Sequence, residues 1–171
     1  KCLESSAELL LIIVPRHPER FDEVTNLCER SNFSVQRRST TTASFHSSDE
    51  PIQILIGDSM GEMLSYYRLA KIAFVGGSLV DTGCQNVLEP AALGIPIVVG
   101  PSQFNFATIC KLLEEAGALV TVQNEDELAM QVQLLMANPE KQKLMADQGL
   151  AVVKRNQNAL PALLDIIKKV S

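Results

Sequence analysis

In the stretch from Ala73 to Pro101, AFVGGSLVDTGCQNVLEPAALGIPIVVGP, four residues with useful chemistry gather at one point: Gly77, Ser78, Asn86 and Glu89. They fall between an apolar β-prone run, Ile72 to Val75, and a short helix-compatible run, Val87 to Leu93. A carboxylate there accepts hydrogen bonds from vicinal hydroxyls, while amide, hydroxyl and backbone N–H groups donate to phosphate oxygens. Glu89 also fits a plainer role as an acid in the first turn of a helix. Two further loops add to the set. Arg16 and His17 follow the first apolar run, and Met60 and Gly61 follow the third. As a pair, Arg16 and His17 fit equally well as solvated loop residues. Taken together, an arginine, exposed backbone amides, a hydroxyl and a carboxylate suit a nucleotide, with the carboxylate on the ribose and the cation on phosphate. The segment Ser102 to Asn105 either contacts a polar ligand group or caps the following helix.

These residues need elements to hold them. Ile72 to Val75 ends at Gly76-Gly77-Ser78, and Ile95 to Val99 ends at Gly100-Pro101, with the short helix between. Strand, helix and strand in about thirty residues make a βαβ unit with parallel strands and a right-handed crossover. Upstream, Leu9 to Val14 is a continuous apolar run expected to be buried on both faces. After Pro18 a helix is expected to present Phe21, Val24, Leu27 and Cys28 on one face. Phe33 to Gln36 and Ile52 to Ile56 read as strands, and Glu62 to Arg68 as a short helix. Arg37 to Pro51, polar and rich in Ser and Thr, reads as a mobile loop. A helix ending at Ala116, a strand from Ala118 to Val122, and helices over Glu125 to Met136, Pro139 to about Lys154 and Leu160 to Val170 complete the chain. Glu4 to Glu8 forms a helical lead. The alternation predicts an α/β fold, a Rossmann-like doubly wound parallel sheet. In such sheets ligands bind beyond the carboxyl ends of the strands, where the four loops lie.

Composition narrows the possibilities. The 171 residues are 46% hydrophobic, enough for one domain over residues 1–171 with a sizeable core. A net charge of −5 argues against a nucleic-acid partner. Cys2, Cys28, Cys84 and Cys110 lack Cys-x-x-Cys spacing, so neither a zinc site nor a disulfide framework is expected. Gly57-Asp58-Ser59-Met60-Gly61 matches a nucleophile elbow, yet both histidines, His17 and His46, precede Ser59, so the hydrolase order fails. Neither a Gly-x-Gly-x-x-Gly fingerprint nor a Walker A loop is present. No Asp-x-Asp pair offers to chelate a metal–nucleotide complex, so no cofactor is expected. The chain begins at Lys1 without an initiator Met and reads as a fragment of something longer.

The order of motifs resembles a known family. Pro15-Arg16-His17-Pro18-Glu19-Arg20-Phe21, Gly57-Asp58-Ser59-Met60-Gly61-Glu62 and Phe74-Val75-Gly76-Gly77-Ser78-Leu79-Val80 are similar to the carboxyl-terminal half of the 3-deoxy-D-manno-octulosonic acid (Kdo) transferases. Asn86-Val87-Leu88-Glu89-Pro90-Ala91-Ala92-Leu93-Gly94 and Gly100-Pro101 followed by Asn105-Phe106 continue the likeness over nearly the whole chain. Gly83-Cys84-Gln85-Asn86 departs from the family's usual Gly-Gly-His-Asn, and no ligand role is carried over to Gln85.

The resemblance implies the C-terminal domain of a GT-B glycosyltransferase, with the acceptor-binding amino-terminal domain and membrane anchor outside this sequence. It implies CMP-Kdo as donor and a lipid A precursor as acceptor in lipopolysaccharide biosynthesis, at the cytoplasmic face of the bacterial inner membrane. By the same resemblance, Pro15, Arg16, Met60, Gly61 and Glu62 border CMP, and Asn86, Val87, Leu88 and Glu89 form its ribose and phosphate shelf; Gly77 and Ser78 join the CMP-binding set by their place at the strand end. No catalytic base is assigned here, because the family places it on the other half, so this domain alone is expected to bind without turnover. Two other readings stand beside this one: another GT-B transferase using a UDP- or GDP-sugar, and a non-enzymatic flavodoxin-like interaction module.

Overall fold

The computed structural model describes residues 9–40 and 51–157. The expected helices at Glu4 to Glu8 and Leu160 to Val170 lie outside the described residues. The chain divides into two compact units, Lys1–Tyr66 and Tyr67–Ser171.

In the first unit, β1 (Leu11–Ile13), β2 (Val35–Arg37) and β3 (Ile54–Ile56) form a parallel sheet in the order β1-β3-β2. Leu11 pairs with Ile54 and Ile13 with Ile56, while Val35 and Arg37 flank the same two residues from the other side. Central β3 is three apolar residues in a row, all buried, as expected of a strand covered on both faces. By contrast β1 is an edge strand of this sheet, and Leu10 and Leu11 stay exposed instead of buried on both faces.

Helix α1 (Phe21–Arg30) is entered through a single 3-10 turn, Pro18–Arg20, whose proline sits in the first turn where its missing N–H costs nothing. Its inward stripe differs by one residue from the expected face. Thr25 and Cys28 are buried and Val24 packs on Cys28, Ile54 and Ile56, whereas Leu27 is 63% exposed. Phe21, Val24, Thr25 and Cys28 follow the i, i+3, i+4, i+7 spacing of one helix face, and Leu27 lies off it. Thr25 tolerates burial because its hydroxyl donates to the Phe21 carbonyl at 2.8 Å.

The first residues of the loop expected over Arg37 to Pro51 are regular structure. Arg37 closes β2, and Arg38–Thr40 make a 3-10 turn. Residues 41–50 lie outside the described residues. Arg37 Nε donates to Asp58 Oδ2 at 2.6 Å and its Nη1 to Asp22 Oδ1 at 2.5 Å. Asp58 Oδ1 accepts from the Ser39 amide at 2.8 Å and Oδ2 from the Ser39 hydroxyl at 2.5 Å. Burial pushes the Asp58 carboxyl up, but the bonds from Ser39 and Arg37 outweigh it and hold the group below its ordinary value.

α2 (Met63–Leu69) runs from the first unit into the second. There β4 (Ala73–Phe74), β5 (Ile97–Val99) and β6 (Leu119–Thr121) form a parallel sheet in the order β4-β5-β6. Alternation sorts the side chains of β5. Ile97 and Val99 join one core with Val75, Val87, Ala91, Cys110 and Leu113, while Val98 joins another with Val122, Leu135 and Met145. α3 (Leu88–Ala92) and α4 (Ala107–Glu115) cover the first face, and α5 (Glu125–Met136) covers the second. α6 (Pro139–Gln157) supplies Val152 and Val153 to one core and Met145 to the other. Helices on both faces of a parallel sheet are the doubly wound arrangement the alternation predicts.

Side chains fix the start of the last helices. Asn124 Oδ1 accepts from the Glu127 amide at 2.9 Å while the Glu127 carboxylate accepts from the Gln123 amide at 2.8 Å, a reciprocal cap. Asn138 Oδ1 accepts from the Lys141 amide at 2.9 Å, so Asn138-Pro139 marks the boundary the sequence suggests.

Candidate functional site

In the second unit the segment after β4 folds back on itself through two glycines. Gly77 and Gly83 both have φ +81°, a conformation that L side chains rarely adopt. A Cβ on Gly77 would strike the Gly83 carbonyl, so the two ends of this turn meet backbone to backbone. Thr82 Oγ1 donates to the Gly77 carbonyl at 3.1 Å and closes it further. The Gln85 amide donates to the Gly76 carbonyl at 3.1 Å, which ties the following segment to the same turn.

Ser78 is fully buried, and its hydroxyl is engaged inside the protein. It donates to the Val75 carbonyl at 2.6 Å and accepts from the Gly100 amide at 2.8 Å. That hydroxyl therefore couples the turn after β4 to the turn after β5. The Ser102 amide donates to the Ser78 carbonyl at 2.9 Å, and the Gly83 amide to Ser102 Oγ at 3.2 Å. The two loops at the carboxyl ends of β4 and β5 are thus laced together.

Asn86 and Glu89 sit on this base. Asn86 Oδ1 accepts from the Leu88 amide at 3.0 Å, turning the chain into α3, and Asn86 Nδ2 donates to Glu89 Oε1 at 3.0 Å. The half-buried Glu89 carboxylate is oriented by that bond, and its other oxygen has no hydrogen-bond partner among the described residues. Val87 is fully buried in the core, and Pro90 is buried beneath, so the position of Glu89 is fixed by packing. Leu88 is 38% exposed. Tyr67 lies close enough to Glu89 to feel its charge: burial first, and then Glu89, pushes the phenol up to about 12. α3 is only five residues long and its Leu88 amide is already engaged, so polar side chains carry the chemistry at this point.

The first unit holds the other expected residues. Pro15 is half-buried and Arg16 exposed in the loop after β1. Met60 is 73% exposed, and Gly61 faces open space, with nothing within 4 Å of where a Cβ would lie. Glu62 is held from three sides: by the Ser59 hydroxyl, by the Tyr66 hydroxyl at 3.2 Å, and by Arg38 Nη2 at 3.1 Å. The Ser59 bond, despite opposing burial and with help from Arg38, holds the Glu62 carboxyl below its ordinary value. The same network engages Ser59, the serine of the elbow-like motif.

Sequence reasoning passed over one feature. It is the Arg37–Asp58 pair, which pins the loop carrying Met60 and Gly61; an Asp next to a Gly reads as ordinary turn chemistry, and nothing local marks its partner 21 residues away. The capping role offered for Ser102 to Asn105 is not seen, because neither the 3-10 turn Phe104–Phe106 nor α4 has a side-chain hydrogen bond at its cap. Cys84 and Cys110 lie with their sulfurs 3.9 Å apart, both buried and both free thiols. Burial, and then the neighbouring Cys84, pushes the Cys110 thiol up to about 12. Among the described residues no group of three or more His, Cys, Asp or Glu is placed to hold a metal ion.

Comparison with known proteins agrees with this architecture. Residues 42–151 match the family of glycosyl transferases group 1. The chain is 41% identical over 161 residues to a 3-deoxy-D-manno-octulosonic acid transferase of Haemophilus influenzae, covering 94% of this chain and 37% of that protein. It is 33% identical to the enzyme of the same name from Bordetella pertussis, over 93% of this chain and 36% of that one. The chain thus spans about a third of the length of the curated relatives it matches. Among solved structures it superposes on the C-terminal CMP-Kdo binding domain of WaaA from Acinetobacter baumannii with a TM-score of 0.81 at 39% identity, covering 88% of this chain and 77% of that one. The fold is therefore that of a GT-B C-terminal domain, and the chain belongs to the glycosyl transferases group 1 family, with Kdo transferases as its homologues.

Proposed function

We propose that this chain is the donor-binding half of a Kdo transferase, which moves Kdo from CMP-Kdo to a lipid A precursor in lipopolysaccharide biosynthesis at the cytoplasmic face of the inner membrane. The observation that carries the reading is the Asn86–Glu89 pair: a half-buried carboxylate, oriented by one hydrogen bond, at the carboxyl edge of a parallel sheet. Such a group recognises vicinal hydroxyls, and the ribose of a nucleotide presents them. Identity of 39–41% to Kdo transferases and to a CMP-Kdo binding domain supports the choice of CMP-Kdo over other nucleotide sugars.

In this reading Gly77 and Ser78 shape the turn, and Asn86, Val87, Leu88 and Glu89 make the shelf for CMP. Pro15, Arg16, Met60, Gly61 and Glu62 of the first unit are proposed as CMP contacts in their own right. The reaction is attack of an acceptor hydroxyl on the anomeric carbon of Kdo, with CMP leaving. Negative charge grows on the departing phosphate, and Arg16 with nearby backbone amides stabilises it. The acceptor's proton goes to a base outside this chain.

Calorimetric titration of the chain with CMP, UDP and GDP tests the donor. CMP is expected to bind best. Preference for UDP or GDP would mean a different sugar donor, and a chain that binds none of the three would contradict the proposal. Incubation with CMP-Kdo and a lipid A precursor is predicted to give binding and no transfer product.

A further inference from the structure

The segment Ser102 to Asn105 is split between anchors and free groups. Ser102 is engaged through its amide to the Ser78 carbonyl and through its hydroxyl to the Gly83 amide. Gln103 Nε2 donates to the Gly100 carbonyl at 2.9 Å and to Thr121 Oγ1 at 3.0 Å, and Thr121 in turn donates to Glu114 at 2.8 Å. Phe106 packs on the core of Val75, Val87 and Cys110. Between these anchors Phe104 is 62% exposed and Asn105 is exposed, with no hydrogen bond from its amide among the described residues.

Both free side chains lie over Gly83. A Cβ built there would meet the Phe104 ring at 2.8 Å and strike the Asn105 amide nitrogen. Gly83 is three residues before Asn86 on a segment fixed by buried Cys84 and by the Gln85–Gly76 bond. An apolar ring and an amide with open donors and acceptor therefore stand beside the loop that carries Asn86 and Glu89, held there by their neighbours. Apolar faces with a few placed polar groups are what sugar-sized ligands require.

We propose that Phe104 and Asn105 form the ledge for the sugar of the donor, an inference that rests on the donor-binding reading above. The ligand class is a CMP-linked acidic sugar. Its ring lies against the Phe104 side chain, and the Asn105 amide donates to a sugar hydroxyl or to the sugar carboxylate. The ledge distinguishes CMP-sugar from CMP; it does not hold the nucleotide.

The test compares CMP with freshly prepared CMP-Kdo by titration of the wild-type chain, Phe104→Ala, Asn105→Ala and Asn105→Asp, with thermal melts to verify folding. Wild type is expected to bind CMP-Kdo more tightly than CMP. Each variant is expected to keep CMP affinity and to lose about tenfold of its CMP-Kdo affinity. Asn105→Asp is expected to lose most, because it sets a carboxylate against that of the sugar. Equal weakening toward both ligands, unchanged CMP-Kdo binding in all variants, or a wild type that does not distinguish the two ligands would overturn the ledge and leave the donor reading standing. A wild type that binds neither ligand would overturn both.

Discussion

At the scale of single residues, two side chains do structural work that their types alone do not reveal. Ser78 was a candidate phosphate donor on the sequence, and its hydroxyl instead links the Val75 carbonyl to the Gly100 amide. Ser78→Ala leaves that buried N–H without a partner, which costs about 1–3 kcal/mol. Urea denaturation is expected to show the loss, and an unchanged midpoint would mean the bond is dispensable. Asp58 makes a pH prediction. Its carboxyl is held below its ordinary value in the folded chain, so its contribution is present above the unfolded value of about 3.9. That contribution is lost as pH falls through the lower folded value. Asp58→Asn is therefore expected to be less stable at neutral pH and to show a shallower loss of stability on acidification; parallel acid limbs in melts at pH 2–7 would contradict this.

At the scale of elements, the two close glycine contacts explain why the βαβ unit keeps its shape. Gly83→Ala places a methyl group against Asn105 and Phe104 in a left-handed conformation that costs an L residue about 1–2 kcal/mol before any clash. A lower melting temperature is expected, and a melt identical to wild type would refute the packing argument. The elements themselves were legible where one signal acted alone. Apolar triplets gave β3 and β5, Asn138-Pro139 gave the start of α6, and Gly76-Gly77 and Gly100-Pro101 gave the turns. They were less legible where tertiary context decides. Leu9 to Val14 reads as a buried strand by composition, yet β1 sits at the edge of its sheet. Arg37 reads as the start of a polar loop, yet Asp58, distant in sequence, holds it in β2. Glu89 was legible as a polar residue at a strand-to-helix turn, but its alignment by Asn86 is a property of the folded turn.

For the whole molecule, the chain has the fold of a GT-B C-terminal domain and belongs to the glycosyl transferases group 1 family. Its likeness to Kdo transferases covers most of this chain and about a third of theirs. In the proposed reaction, donor recognition and stabilisation of the departing phosphate belong to this chain, and only the acceptor's base to groups outside it. No described helix is long and apolar enough to cross a membrane. In the proposed donor site the Glu89 carboxylate, oriented by Asn86, is the group that grips the nucleotide. The direct measurement is the CMP dissociation constant of Glu89→Ala against wild type. A charge-assisted hydrogen bond of about 1.5–3 kcal/mol predicts a loss of roughly tenfold or more with folding intact. An unchanged constant in a folded variant would contradict the account.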